Sequence, residues 1–450
     1  MDLVSLNALV NRYVWGPEMM VAFLVVGLYL TLRTGLIQFT KIGIIFRETL
    51  GAIRERALGA SGEITPFQAT MVALGATMGQ GNLIGVTSAI LIGGPGAIFW
   101  MWVAGVLGMA TKFAEATLAV HFRQRYADGS VSGGPMYYLS RGLPKGLRWL
   151  GAVYAFLAAL AAFGIGNLTQ SSAMAGSLEA AFDIPVGLTG FAVALIAAFI
   201  LGGGIRRIAA FAQTLVPLML FAFLAAGLYA LFFHLDALGG AFAAIFQNAF
   251  GFRAAAGGAA GYALAQTLKA GVGRGIFSNE AGLGSAAIAH AQAQVDHPVR
   301  QGFWGVIEVF LDTLVVNTVM ALLVLTSGAW QLGQSAPHAF VAAWDFPGGA
   351  SVAAVILALF VFTTLVSWGF YGEEAAGFLF GDGIRWPYRI TYIVFAFVGA
   401  LGGFELLTAF ADTLNGLMAI PNLIGLLLLG GLVAQLVRGF FRGEPWQPPR

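Results

Sequence analysis

Gly75-Ala76-Thr77-Met78-Gly79-Gln80-Gly81-Asn82 sits at the middle of an apolar stretch spanning residues 65–92. The stretch is long enough for a membrane-spanning helix, which needs about 20 residues. Yet its centre is glycine and neutral polar groups. A helix-interior glycine costs roughly 1 kcal/mol against alanine. Backbone released from a helix at membrane depth survives only where it is buried in protein or lines a wet cavity. The stretch is therefore expected to form two half-helices meeting at a binding site. A second stretch, 259–292, carries Gly271, Gly273, Gly275, Asn279, Glu280, Gly282 and Gly284 at its centre. Two interrupted spans, far apart in one apolar chain, point to the site of a secondary transporter. The competing reading is that small residues only let helices pack closely. It suits one stretch alone better than two at matched positions.

Composition fixes the setting. The chain has 450 residues, of which 58% are hydrophobic and 10% charged, and its mean hydropathy is +0.82. Soluble proteins are about 25% charged, so this chain belongs in a lipid bilayer. Its apolar runs are continuous rather than alternating, which excludes a β-barrel. Cysteine is absent, which removes disulfides, thiolate metal sites and a cysteine nucleophile. The net charge of +2 is not gathered into one patch, so nothing suggests a nucleic-acid partner. Residues 1–16 lack a basic start and a small-residue cleavage site, so no removable signal peptide is expected. No phosphate-binding loop appears, and no nucleophile–base constellation. An enzyme, an ATP-driven pump and a simple pore all lack support.

Eleven hydrophobic segments are expected: 18–39, the broken 65–92, 97–122, 150–182, 185–201, 208–233, the broken 259–292, 301–326, 351–371, 388–403 and 405–437. An interfacial stretch, 235–256, precedes the second break. Apart from Arg12, Arg253, Lys112, Lys269 and Arg274, every Lys and Arg falls in alternate connections or in the tail. Positive residues stay cytoplasmic, so the N-terminus is expected outside and the C-terminus inside. If the first segment is an extra one, ten remain, in two sets of five that each begin with a broken span. An odd number of spans per set inverts one set relative to the other. The expected fold is thus an all-α integral membrane protein, a 5+5 inverted repeat with one extra N-terminal helix. Its parts are an N-terminal unit (1–63), a first repeat (64–234), a second repeat (235–437) and a tail (438–450).

Half-helix ends offer bare N–H groups to a carboxylate and bare C=O groups to a cation. Thr77, Gln80 and Asn82 add neutral groups, and no Asp or Glu lies in that run. Neutral oxygens suit sodium better than a divalent or transition metal. Thr363 and Thr364, with Trp368 one turn on, suggest cation ligands beside a pocket wall. A lone span threonine more often bonds its own helix. Phe163 and Asn167 share a helix face that Gln170 extends. Lys112 and Glu115 are i, i+3 and can pair, and Glu308 and Asp312 are i, i+4 on one segment. Lys269, Arg274 and Glu280 flank the second break. Ionisable groups inside spans are functional candidates by default, although a structural salt bridge is as good a reading for Lys112 and Glu115. His290 and His297 are expected to be solvated, without a role.

Longer motifs carry a resemblance. Gly81-Asn82, Gly93-Gly94-Pro95-Gly96-Ala97-Ile98-Phe99-Trp100-Met101-Trp102, Ala110-Thr111-Lys112-Phe113-Ala114-Glu115, Phe277-Ser278-Asn279-Glu280-Ala281-Gly282-Leu283-Gly284-Ser285-Ala286, His290 and Asp296-His297-Pro298 closely resemble the alanine or glycine:cation symporter family. The likeness covers nearly the whole chain. It implies sodium-coupled, sometimes proton-coupled, uptake of small neutral amino acids across the cell (inner) membrane. It also implies a leucine-transporter-like fold with one additional N-terminal helix, in which a monomer suffices. The resemblance gives Thr77, Gln80 and Gly81 to the substrate carboxylate, and Phe277, Ser278 and Asn279 to the amine and side chain. Phe163, Asn167 and Trp368 would wall the pocket. Sodium would take the backbone oxygens of Gly75, Met78 and Phe360 and the hydroxyls of Thr363 and Thr364. Asn82, with Ser278, matches a possible second sodium position. Coupling to protons through Glu280, Glu308 or Lys269 is the alternative.

Overall fold

The computed structural model describes residues 2–53, 62–250 and 260–449. Arg54, Arg56, Arg253 and Arg450, which the charge argument uses, lie outside the described residues, as does the start of the second broken stretch. Helices begin where apolar runs meet caps and prolines. Helix α1 (Leu3–Val14) starts on Asp2, whose carboxylate accepts the Ser5 amide, and α2 (Pro17–Arg33) starts on a proline. Helix α3 (Pro66–Thr77) opens with a reciprocal box between Thr65 and Gln68, which satisfies two N-terminal groups at once. A π-helical turn (Gly81–Gly85) then leads into α4 (Val86–Gly93), and α5 (Ala97–His121) follows. Next come a hairpin of β1 (Gln124–Arg125) and β2 (Val131–Ser132) and the short α6 (Pro135–Gly142). Helices α7 (Leu150–Phe163) and α8 (Thr169–Phe182) form one run through a π-turn, Gly164–Leu168.

After α9 (Val186–Gly202), α10 (Gly204–Phe232) and α11 (Leu235–Ala249) comes α12 (Ala260–Asn279), followed after a gap in the helix by the single turn α13 (Ala287–His290). Helices α14 (Pro298–Val309) and α15 (Asn317–Thr326) are joined by a π-helical stretch, Phe310–Val316. Helices α16 (Ala336–Ala342), α17 (Gly349–Phe380), α18 (Arg385–Ala400) and α19 (Glu405–Phe441) complete the described chain. Seven helical runs among the described residues are long and apolar enough to cross a membrane. The remaining expected segments are the two interrupted ones and the shorter α9 and α18, of 17 and 16 residues.

Helix α5 lies at the centre, buried from Gly108 to His121. The periphery exposes large apolar side chains such as Phe199, Phe221 and Phe232 on α9 and α10, as a lipid-facing surface requires. The basic connections meet at one end. There Arg206 reaches Glu63 at 3.8 Å, Arg300 pairs with Glu48 and Asp296, and Arg389 grips Glu373 at 2.8 and 2.6 Å. Arg123 donates to the carbonyls of Ala291 and Ala293 at 2.9 and 2.7 Å, and burial lowers its pKa to about 9. Burial alone would also depress Arg385, but the Glu374 carboxylate beside it wins and holds it above its ordinary value. The opposite end joins Asn11 to Asp412, Thr267 to the Gly93 carbonyl and Trp100 to the Ala249 carbonyl.

Candidate functional site

The first expected break is present. Met78 leaves helical geometry at φ −78° and ψ 81°. The Gly79 amide turns to the Thr77 carbonyl at 3.0 Å and to Asn82 Oδ1 at 3.1 Å. The Gly75 carbonyl therefore loses its usual partner four residues on. Thr364 Oγ1 lies 3.1 Å from that carbonyl, 3.3 Å from the Met78 carbonyl and 3.2 Å from the Phe360 carbonyl. Thr363 Oγ1 lies 2.8 Å from the Phe360 carbonyl. So of the two hydroxyls assigned to sodium, that of Thr364 bridges α3 and α17, while that of Thr363 bonds its own helix and lies 3.5 Å from Met219 Sδ on α10. A Cβ at position 79 would stand 2.6 Å from Thr364 Oγ1, so only glycine lets α17 come this close. The donor set is neutral and all oxygen, which suits a bare monovalent cation. Hydroxyl hydrogens rotate freely, so both threonines can turn lone pairs toward an ion.

A second polar centre adjoins it. Asn82 Nδ2 has three acceptors within reach of its two hydrogens, Asp312 Oδ1 at 2.6 Å, Ser278 Oγ at 2.8 Å and Asn317 Oδ1 at 2.9 Å. Ser278 Oγ and Thr313 Oγ1 donate to Asp312 Oδ2 at 2.9 and 2.8 Å, and Asn279 Nδ2 donates to Thr313 at 3.0 Å. All six side chains are buried. Ser278 and Asn279 are expected near the substrate and Asn82 at a possible second sodium; Asp312, Thr313 and Asn317 are expected at neither. Asp312 and Thr313 sit on the π-helical stretch between α14 and α15. Such turns recur at functional sites.

The second break falls at the later of its glycines, Gly282 and Gly284. Helix α12 is continuous past Gly271, Gly273 and Gly275, and the chain unwinds only from Glu280. Glu280 at φ +54°, Gly282 at +97° and Gly284 at +80° make the turn. The earlier glycines do packing work instead: a Cβ at Gly271 would lie 2.1 Å from the Ala97 carbonyl, and one at Gly275 3.2 Å from Met101. Side chains satisfy the freed peptides. Glu115 accepts the Gly282 amide at 2.9 Å, Asn422 donates to the Gly282 carbonyl at 2.8 Å, and Tyr154 donates to the Leu283 carbonyl at 3.0 Å.

Trp368, one turn beyond Thr364, donates its indole N–H to Glu280 Oε1 at 3.0 Å. It fits because position 166 is glycine, where a Cβ would come within 2.2 Å of the Trp368 Cβ. Phe277 lies 3.3 Å from where a Cβ on Gly81 would be. Gln170 Oε1 meets the Gln80 amide at 3.4 Å. The Thr77 hydroxyl bonds back to the Leu74 carbonyl at 3.2 Å. Phe163 and Asn167 face α18 instead: Phe163 stacks among Tyr388, Tyr392 and Phe395, and Asn167 donates to the Tyr392 carbonyl at 2.7 Å. Of that helix face, Gln170 is the residue that reaches the break.

The buried charges pair across helices, not along them. Lys112 Nζ lies 3.3 Å from Glu308 Oε1. Its neighbour Glu115 is committed to Gly282 and to Asn422, the latter at 2.7 Å. Glu308 and Asp312 also part company. The other Glu308 oxygen meets His290 at 2.7 Å, and His290 meets Gln301 at 2.7 Å. His290 is wholly buried, against the expectation of a solvated ring. His297 caps α14 through the Val299 amide at 3.2 Å. Its contacts within the chain explain it without a ligand.

A cavity of about 700 Å³ opens at the end away from the basic connections. Its lining includes Gln80, Ile84, Ser172, Ser177, His338 and Thr408, so it descends to the first break. At the basic end, bonds of Arg123, Arg385 and Arg389 tie the connections together, and cavities of about 620 and 310 Å³ lie beside Arg123 and Arg385.

Three comparisons bear on the chain as a whole. A family model for the sodium:alanine symporter family matches residues 2–445. The sodium/alanine symporter AgcS of Methanococcus maripaludis is 43% identical over 98% of each chain. The amino-acid carrier protein AlsT of Bacillus subtilis is 35% identical over 96% of this chain and 92% of its own. Among solved structures, MhsT in complex with L-phenylalanine superposes with a TM-score of 0.54 at 15% identity, over 84% of this chain and 99% of that one. A manganese transporter mutant of Eremococcus coleocola gives 0.52 at 14% identity, over 87% and 94%. These two are transporters of the leucine-transporter-like fold, and at such identities they bear on fold alone.

Proposed function

Because the chain belongs to the sodium:alanine symporter family, we propose that it carries small neutral amino acids, alanine or glycine, into the cell together with sodium. The observation that carries this reading is the Thr364 hydroxyl held among the Gly75, Met78 and Phe360 carbonyls, with the Thr363 hydroxyl on the same Phe360 carbonyl. An ion there ties broken α3 to α17. It favours the arrangement in which those helices touch, and so couples to whatever else that arrangement binds. The amino acid sits beside it, with its carboxylate toward the backbone of Gln80 and Gly81 and its side chain toward Phe277 and Trp368. Asn82, Ser278 and Asp312 form a candidate second cation position. The indole of Trp368, locked by Glu280, sets the size limit. A lost or gained methylene is worth only about 1–3 kcal/mol, so selectivity is graded.

Eleven passes arranged as 64–234 and inverted 235–437, after an extra unit 1–63 and before the tail 438–450, account for the alternation of basic connections. The basic end is then cytoplasmic, both broken helices meet at mid-membrane, and the 700 Å³ cavity faces outward. One observation favours a second reading. Glu280 touches the Trp368 indole, which puts a titratable group against the pocket wall where proton coupling would act. Uptake of labelled alanine into proteoliposomes separates the two. An imposed sodium gradient should drive accumulation, and replacing sodium with choline should abolish it. Uptake driven equally by a pH gradient in choline, and lost in Glu280→Gln, would favour the proton reading instead.

A further inference from the structure

Lys269 and Arg274 lie on α12, in the half of the molecule away from the basic end, against the trend of every other cationic cluster. Among the described residues neither makes a hydrogen bond or a salt bridge; Arg274 lies over the Phe277 ring at 5.9 Å, and its charge acts on Asp412 without contact. Cations inside a span are costly without a role. Both line a cavity of about 290 Å³, together with Asn11, Trp15, Phe277 and Asp412. That volume is near the lower end for ligand pockets, roughly 300–1,000 Å³. Asn11 donates to Asp412 Oδ2 at 2.9 Å and Trp15 to the Asp412 carbonyl at 3.2 Å. The second Asp412 oxygen takes no bond among the described residues. Trp15 meets Phe277 edge-on at 6.1 Å, and Phe277 in turn closes on Gly81 of the first break.

Resting on the function proposed above, we infer that this cavity is an acceptance site for a free amino-acid zwitterion. Lys269 and Arg274 take its carboxylate, and the free oxygen of Asp412 takes its ammonium. A zwitterion is the occupant because the walls hold two cations that make no salt bridge among the described residues and one half-used carboxylate. A simple anion would leave Asp412 opposed to it. Helix α1 completes the site, since Asn11 fixes the Asp412 rotamer and Trp15 backs the ring that separates the cavity from the break. The site differs from the central one in needing no sodium, because none of the ion-binding oxygens reaches it.

Saturation-transfer NMR on the full-length protein in sodium-free choline medium tests this. Alanine should give transfer with the wild type. Arg274→Gln and Asp412→Asn should each cut it at least fivefold, while Arg274→Lys retains it and so shows that charge, not packing, is read. Propionate, which lacks the ammonium, should bind more weakly and ignore Asp412→Asn. Transfer unchanged in both neutral variants would overturn the inference. So would propionate matching alanine, which describes an anion site. Should the wild type fail to accumulate alanine under a sodium gradient, the function itself falls. Should it accumulate alanine while the sodium-free signal ignores the variants, this inference falls alone.

Discussion

The Thr364 hydroxyl spans three carbonyls from two helices, those of Gly75, Met78 and Phe360. Two of these are available only because α3 stops at Thr77. Removing a group that binds a charge costs about 1.5–3 kcal/mol. Thr364→Ala should therefore weaken sodium by roughly tenfold to a hundredfold, and Thr364→Ser should stay within about threefold of the wild type. A sodium titration of labelled alanine binding measures both, and an alanine variant that titrates like the wild type would remove Thr364 from the ion site. Adjacent threonines in an apolar span were visible in the sequence, since a hydroxyl pair there has few other uses. His290 was not. Its partners, Glu308 and Gln301, belong to another helix, and only tertiary packing makes the ring buried rather than solvated. Asp312 was read against Glu308 by spacing alone. The π-helical stretch between them turns the two carboxylates to different partners, Lys112 for one and Asn82 for the other.

Glycine at membrane depth has two uses, and the two broken helices show both. In the first break, Gly79 and Gly81 stand where the helix is lost and where Thr364 and Phe277 close in. On α12, Gly271 and Gly275 are a helical turn apart and face α5, a packing use that no local window shows, because the partner that needs that face lies elsewhere in the chain. The break itself is written in Glu280, Gly282 and Gly284, whose left-handed angles cost a non-glycine residue about 1–3 kcal/mol. Gly271→Ala should therefore destabilise by about 1–3 kcal/mol through overpacking on the Ala97 carbonyl. Gly240→Ala on α11, exposed in mid-helix with nothing within 4 Å of the added carbon, should be neutral or stabilising by about 0.5–1 kcal/mol. Thermal unfolding in detergent compares them. Equal melting temperatures for the two variants would show that α12 does not press on α5 as described.

Across the whole molecule, charge and access fall at opposite ends. Composition and the alternation of basic connections made a helical membrane protein with two faces legible. Which face is open was not, because the opening depends on how α8, α16 and α19 splay around Gln80. The 700 Å³ cavity lies at the end where the lysines and arginines are scarce, and positive residues stay cytoplasmic. The route from outside should thus be open as the chain stands here, with Arg123, Arg385 and Arg389 tying the inner connections together. Since the chain has no cysteine, a single introduced thiol reports access without background. Ser172→Cys lies exposed in the cavity wall, whereas Ser132→Cys lies buried beside Arg385 at the basic end. A membrane-impermeant maleimide applied outside should label Ser172→Cys. Sodium alone should speed that labelling, because the ion holds α3 against α17 in the outward arrangement, and alanine added with sodium should slow it as the cavity closes. Ser132→Cys should label only from the cytoplasmic side, and faster during turnover than in sodium alone. Labelling of Ser172→Cys from the cytoplasmic side alone would invert the orientation. Labelling indifferent to sodium would mean that the threonine-lined ion site does not govern which end is open.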